Sequence, residues 1–318
     1  MIHIETYQRT SEQEKAWNGL VEKAKNATFL FDRRYMDYHQ DRFCDVSLLF
    51  HSDKGELIGA LPANWMEREK TVVSHGGLTY GGLILSGNVT ATDVLEMLTQ
   101  AVAHYRKALG AEKMVYRPIP YIYTTYPAQE DLYALFRLRA TLSRRLLSSA
   151  IYLPDAMRFH RSRITGTHKA AKEGLYVEES NDVEAFWVIL SDVLQQHHNV
   201  LPVHTSQEMK MLMGRFETRI RLFGVMLEGR MVAGTVVYDM GHTVHTQYMA
   251  CSDEGRRHRA LDLLLDTLVH QTYADRRYLD FGNSNEQGGW VLNEGLLSQK
   301  ESFGGRGICY DSWDIPCE

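Results

Sequence analysis

The stretch that decides the architecture is RLFGVMLEGRMVAGTVVYDMGHTVHTQYMA, residues 221–250. Two apolar runs, Arg221 to Leu227 and Met231 to Tyr238, flank Glu228-Gly229, and Gly241 turns the chain into a third run, Val244 to Ala250. Short runs rich in β-branched residues and punctuated by glycine turns predict an antiparallel three-strand meander. Upstream, Val183, Phe186, Trp187, Leu190 and Leu194 recur at helical spacing, and a second, Met-rich helix is expected from about Gln207 to Phe216. Downstream, Leu261, Leu264, Leu265, Leu268 and Val269 predict an amphipathic helix. A strand from Tyr278 to Phe281, a helix from Leu292 to Phe303 and a strand from Ile308 to Ile315 complete the segment.

The first half repeats that order. Ser11-x-x-Glu14 is a capping-box pattern ahead of Trp17, Leu20, Val21 and Ala24. Strands are expected at Val46 to Phe50, Leu57 to Trp65 and Thr71 to Ser74, with Ser52-Asp-Lys-Gly55 as the first turn. Thr90-x-x-Asp93 opens a helix carrying Val94, Met97, Leu98, Ala101, Val102 and Tyr105 that stops near Gly110. Lys113 to Arg117, Glu130 to Leu138 and Leu146 to Leu153 follow as strand, helix and strand. Even the hairpins correspond, Gly55-Glu-Leu-Ile-Gly-Ala60 with Gly229-Arg-Met-Val-Ala-Gly234. Two copies of one domain are therefore expected, residues 1–153 and 154–318, joined near Pro154, with a basic helix over Asp155 to Glu173 opening the second.

Composition narrows the classes. With 318 residues, 44% hydrophobic and 24% charged, the chain can bury two cores. No apolar run reaches the roughly 20 residues a membrane helix needs, and the N-terminal MIHIETYQRT lacks the apolar centre of a secretory signal; the expected location is the cytoplasm. Cys44, Cys251, Cys309 and Cys317 form no C-x-x-C, and His197, His198 and His204 have no metal-ligand spacing, so no metal is expected. A net charge of −5 gives no general field for nucleic acid.

Four segments resemble one family. They are Asn26-Ala-Thr-Phe-Leu-Phe-Asp32 with Tyr35, His75-Gly-Gly-Leu-Thr-Tyr-Gly-Gly82, Arg161-x-Arg163 with His168-Lys-Ala-Ala-Lys-Glu-Gly174, and Leu279-Asp-Phe-Gly282 with Asn293-Glu-Gly-Leu-Leu-Ser-Gln-Lys300-Glu-Ser-Phe-Gly304. Together with the element order, they make the whole chain similar to the FemAB-like branch of the GNAT acyltransferases. That resemblance implies an α/β fold of two tandem GNAT-like domains, each with a mixed, mostly antiparallel central sheet flanked by helices. It also implies an acceptor side in the first domain and an acyl-donor side in the second.

In such domains the donor's pyrophosphate lies on the loop before the helix that follows the fourth strand. Here that loop is Ser252-Asp-Glu-Gly-Arg-Arg-His-Arg-Ala260, so Gly255, Arg256, Arg257, Arg259 and Ala260 are the candidate donor-binding residues for acetyl-CoA or another acyl-CoA. A helix N-terminus with arginines nearby favours a polyphosphate. The family spacing is only partly present, because Arg257 falls where a small residue is usual. Catalytic candidates are Glu294 as general base, Tyr248 as proton donor to the leaving thiolate, and Asn293 beside them. Each has a plain alternative: Glu294 complements a helix dipole, Asn293 starts that helix, and Tyr248 packs a core. Strict strand alternation would put His245 on the face opposite Tyr248. For the acceptor, His75, Tyr80 and Tyr123 offer aromatic and polar contacts, and Asn283, Asn285, Glu286 and Lys300 follow a strand end.

The function expected on the resemblance is N-acylation of a small amine, such as an amino sugar of the cell envelope, by acyl-CoA. Two alternatives stand beside it. One is a FemAB-type transfer from aminoacyl-tRNA to a peptidoglycan-like precursor, the only reading that brings in nucleic acid. The other is a binding protein that kept the fold and lost the chemistry.

Overall fold

The computed structural model describes residues 2–198 and 200–317, and the chain forms two compact units. The first comprises Met1–Leu146 together with Cys309–Glu318, and the second Leu147–Ile308. The division expected at Pro154 lies elsewhere in the structure: the strand preceding it already belongs in part to the second unit, and the last strand counts with the first from Cys309 onward.

The first unit runs β1 (His3–Thr6), α1 (Ser11–Lys23), α2 (Arg33–Met36), β2 (Cys44–Asp45), β3 (Leu48–His51), β4 (Leu57–Leu61), β5 (Asn64–Met66), β6 (Thr71–Val73) and β7 (Ile84–Leu85). It continues through α3 (Ala91–Leu109), β8 (Lys113–Tyr116), α4 (Glu130–Arg137) and the start of β9 (Thr141–Tyr152). The expected single strand Leu57 to Trp65 is two strands, because Pro62 has no N–H to give a ladder. As a result β4 joins one antiparallel sheet, β1-β3-β4-β7, while β5 pairs with β2 and β6. Helix α3 has the capping box anticipated at Thr90 and Asp93, ends on left-handed Gly110, and buries Val94, Met97, Leu98, Ala101, Val102 and Tyr105. Beneath it the Tyr116 hydroxyl donates to Asp131 at 2.9 Å, and burial pushes that carboxyl up to about 6. The unit is closed by the tail of the last strand, whose Trp313–Pro316 pair antiparallel with β8.

The second unit continues β9 and runs α5 (Arg161–Lys172), β10 (Tyr176–Ser180), α6 (Val183–His198), α7 (Ser206–Arg215), β11 (Ile220–Leu227), β12 (Arg230–Asp239), β13 (Thr243–Cys251), α8 (Asp253–Arg257) and α9 (Ala260–Thr267). Then come β14 (Tyr278–Asn283), β15 (Asn285–Glu286), β16 (Val291–Leu292), α10 (Glu294–Ser302) and β17 (Arg306–Pro316). Its sheet is ordered β10-β11-β12-β13-β14-β9. The predicted meander is present as β11, β12 and β13, and Glu228 and Gly229 both take the positive φ of a tight hairpin turn. Only β13 and β14 run parallel, which the intervening helix α9 makes possible. Leu264, Leu265 and Leu268 press α9 and its continuation onto Phe223, Val225, Val237 and Val244. On the other face, Phe186 of α6 lies where Gly234 leaves room; a Cβ there would stand 2.9 Å from the ring.

Both units are thus mixed α/β structures built on mostly antiparallel sheets, as expected. Among the described residues, no helix is long and apolar enough to cross a membrane.

Candidate active site

The parallel pairing of β13 with β14 covers only three positions, Thr243 with Tyr278 to His245 with Asp280. Beyond them the strands part, and two features of the sequence hold them apart. Gly282 has a φ of +79°, which turns β14 away. Lys300 of α10, 4% exposed, then donates its ammonium to the carbonyls of Gly282 at 2.8 Å and Asn283 at 2.7 Å and to the Ser284 hydroxyl at 2.9 Å. Those carbonyls are satisfied by the lysine instead of by a neighbouring strand. Burial pushes Lys300 down to about 8, opposed in part by the charge of Asp280.

A cavity of about 450 Å³ opens where β13 runs on alone. Met249, Ala250 and Cys251 form its floor, Val193 of α6 reaches it from one face of the sheet, and Arg163 of α5 and Leu261 of α9 reach it from the other. It ends at the first turn of α9, with Arg256, Arg259 and Ala260 in its wall. That helix has no side-chain cap: Arg259 takes the N-cap position in the left-handed conformation, φ 63°. An uncapped N-terminus presents backbone N–H groups and the positive end of the helix dipole. Ser252 instead caps the short α8, accepting from Gly255 N. Gly255 itself is buried, and a Cβ on it would stand 2.5 Å from the Val232 carbonyl.

The arginines differ in freedom. Asp262, 2% exposed, lies between Arg163 at 3.0 Å and Arg259 at 2.7 Å, while Arg163 also donates to the Ser302 hydroxyl at 2.8 Å and covers the Phe303 ring at 4.5 Å. Gly166 of α5 touches the same carboxylate so closely that a Cβ would fall 1.9 Å from it. Burial raises the Asp262 pKa and the two guanidiniums lower it. Arg256 makes a looser pair with Asp253 at 3.3 Å, and Arg257 is exposed. Cys251 is buried against this end of the cavity, and burial pushes its thiol up to about 12, so it is no nucleophile.

The face of the sheet towards α6 holds a second polar group. Gln247 is the extra residue of a bulge: Val236 pairs with Tyr248 and Val237 with Thr246. The bulge overturns the strict-alternation expectation for His245. Its partner Tyr238 and the partner of Tyr248, Val236, share a face of β12, so His245 and Tyr248 share a face of β13. His245 Nδ1 bonds Asp280 Oδ2 at 2.7 Å, and Ser148 Oγ donates to Asp280 Oδ1 at 2.5 Å. A carboxylate so placed fixes the Nδ1–H tautomer and leaves proton exchange to Nε2. Tyr248 bonds His204 Nδ1 at 2.6 Å and packs edge-on to Trp187; burial raises its pKa, so it stays protonated.

The remaining candidates are dispersed. Asn293 is the N-cap of α10, accepting from Leu296 N at 2.9 Å and donating to Glu286 at 2.8 Å. Glu294 is exposed in the first turn of α10. Asn285 bonds the Leu147 amide at 2.6 Å and the Gly289 carbonyl at 3.2 Å, holding the small β15–β16 hairpin; Asn283 is exposed, and its carbonyl accepts from Lys300. In the first unit His75 is 3% exposed and burial drives its pKa down to about 3. Tyr80 and Tyr123, both buried, stack at 4.8 Å, and their hydroxyls bond Thr28 and Tyr310. The structure therefore gathers Arg256, Arg259 and Ala260 at one cavity and gives Asn285, Asn293, Tyr80 and Tyr123 internal hydrogen-bond partners. Among the described residues no cluster of potential metal ligands occurs; the side chains of His197 and His198 lie outside them. The pair His245–Asp280 was missed because it joins residues 35 positions apart across a parallel ladder. The Leu279-Asp280 strand was its only trace.

Comparison with known proteins agrees with this architecture. Residues 158–287 match the Acetyltransf_6 family, described as an acetyltransferase (GNAT) domain. A search of curated proteins finds no match. Among solved structures, FemX superposes with a TM-score of 0.68 at 13% identity, over 98% of this chain and 97% of that one. The C-terminal domain of a putative lysylphosphatidylglycerol synthetase from Agrobacterium fabrum gives 0.61 at 12% identity, over 96% and 92%. A tandem GNAT protein from the clavulanic acid biosynthesis pathway gives 0.52 at 14% identity, over 100% and 99%. Residues 158–287 thus match a GNAT acetyltransferase domain, and the chain as a whole shares its fold with FemX and with a tandem GNAT protein.

Proposed function

We propose that this protein is an N-acyltransferase that takes an acyl group from acyl-CoA, bound in the second unit, to an amine. The observation that carries the reading is the cavity that crosses the sheet beside β13 and ends on the uncapped start of α9. Phosphates fit the end where Arg256, Arg257 and the first amides of α9 lie. At roughly 3.3 Å per residue, a donor laid back along β13 from Cys251 brings its acyl end towards Gln247 and His245.

There the chemistry needs a free amine, a polarised carbonyl and a proton for the leaving sulfur. His245, held by Asp280, takes the ammonium proton at Nε2. The amine nitrogen then attacks the carbonyl carbon, and the carbon–sulfur bond breaks as the tetrahedral oxyanion collapses. Tyr248, kept neutral by burial, gives its proton to the thiolate and takes the second proton released by the acylated nitrogen. Lys300 keeps the strands apart, and Glu294 has no part in this sequence of steps. The acceptor side is assigned to the first unit, and a small or envelope-related amine such as an amino sugar is assigned on family resemblance alone.

Calorimetric titration with acetyl-CoA and with desulfo-CoA tests the donor. Saturable binding that Arg256→Ala/Arg257→Ala weakens by about tenfold or more would support it, since charge-assisted contacts are worth about 1.5–3 kcal/mol. Absence of binding to both ligands removes the CoA reading, and aminoacyl-tRNA becomes the donor to test. His245→Gln has its own signature. Its kcat should fall by about 10²–10⁴-fold while the donor Kd stays unchanged. Wild-type turnover in the variant would remove His245 from the role.

A further inference from the structure

Of the two adjacent arginines near the start of β9, Arg145 alone has a counter-charge among the described residues. Arg145 makes a bidentate pair with Asp311, 2.7 and 2.8 Å. Strand alternation turns Arg144 to the opposite face, and among the described residues no carboxylate pairs with it. Its charge instead acts on Arg117, of the same sign, and lowers the pKa of that guanidinium.

Arg117 follows β8 and is anchored on every side by its backbone. Its amide donates to Ser74 Oγ at 2.8 Å and its carbonyl accepts from Gly81 at 3.0 Å. Pro118 and Pro120 stiffen the chain behind it. The guanidinium is tucked under the glycine-rich loop, where Nη1 donates to the Leu78 carbonyl at 3.2 Å. Its Nε is buried and has no hydrogen-bond partner. A folded protein rarely buries a guanidinium edge with nothing to receive it, because an uncompensated charge or donor costs free energy that a neutral residue would not. A second cation nearby raises that cost.

We propose that Arg117 and Arg144 form an oxyanion-binding site in the first unit, made for a phosphate or carboxylate group of the acceptor. The guanidinium edge with the free Nε is the one that meets such groups in a forked, two-bond geometry. The surroundings fit an anion: burial pushes Arg117 down to about 10, with Arg144 pushing the same way, and the charge of a bound oxyanion opposes both effects. The acceptor is then an amine that also carries a negative group. The anion site stands without any assumption about the donor; only its assignment to the acceptor rests on the proposed function.

The test uses the full chain and no acyl donor, so its failure is separate from a failure of the CoA reading. Inorganic phosphate is titrated at constant ionic strength into the Arg256→Ala/Arg257→Ala protein, which removes the exposed arginines of the second unit. Saturable binding is expected, weakened roughly tenfold to a hundredfold by Arg117→Gln and severalfold by Arg144→Ala. Arg144 is exposed, so its variant reports even if Arg117→Gln folds poorly. Acetate in place of phosphate distinguishes the source: binding of phosphate alone marks a phosphate ester, and equal binding of acetate marks a carboxylate. Two results would overturn the site, namely no saturable binding of either anion, or binding that both variants leave unchanged.

Discussion

A Lys300→Met protein should unfold more easily by on the order of 3–5 kcal/mol and should lose its affinity for the donor. Methionine fills much the same volume but gives nothing to the carbonyls of Gly282 and Asn283 or to the Ser284 hydroxyl. Buried acceptors without partners cost about 1–3 kcal/mol each. The same three bonds keep β14 turned away from β13, so the gap between the strands should narrow. The pH dependence supplies the sign. Burial holds Lys300 at about 8 in the folded protein against 10.5 for a free lysine. Between those values the unfolded chain carries more protons, so wild-type stability gains from this residue as pH rises through the window, by at most about 1.4 kcal/mol per pH unit. Urea midpoints at pH 7.5 and 9.5 should show that gain in the wild type and not in Lys300→Met. An equal rise in both proteins would mean that the ammonium is not strained by burial.

Gly166→Ala should be the second most damaging change, although it adds one methyl group. The new Cβ would stand 1.9 Å from Asp262 Oδ2 and 2.7 Å from Arg259 Nε. Helix α5 must then move off α9, or Asp262 must leave the two arginines it joins. Overpacking costs about 1–3 kcal/mol, and an uncompensated buried charge adds to it. Because Arg163 and Arg259 both line the cavity, the substitution should also weaken donor binding. Thermal unfolding and acetyl-CoA titration of Gly166→Ala measure the two effects together. A variant as stable as wild type would show that α5 has slack against α9. Gly214, whose Cβ would meet nothing within 4 Å, is the matched control.

Local chemistry made much of this legible in advance. The capping box at Thr90, the Glu228-Gly229 turn and the leucine stripe of α9 each lie within a few residues of sequence, although the cap of α1 is Thr10 and not Ser11. What escaped reading depends on partners far along the chain. The bulge at Gln247 carries no residue signature, yet it decides which face His245 shares. Asp280 looks like an ordinary strand residue until β13 is laid beside it. Lys300, expected to meet a substrate, is instead a strut inside the second unit, because a polar strand end needs a donor as much as a ligand does. Tyr80 and Tyr123, offered as aromatic contacts for an acceptor, are buried with their rings stacked on one another. That Arg256, Arg259 and Ala260 share one helix start was legible because they lie close together in the sequence.

The first unit is closed by residues that the ribosome makes after the entire second unit. Trp313–Pro316 supply a strand to β8, and the Cys317 amide donates to Glu112 at 3.0 Å. Until those residues emerge, β8 lacks that partner, and the earlier part of the chain waits with an open sheet edge while the later part folds. Premature termination shortly before residue 309 should therefore injure the N-terminal half more than the C-terminal half, and nascent chains stalled there should be unusually dependent on chaperones.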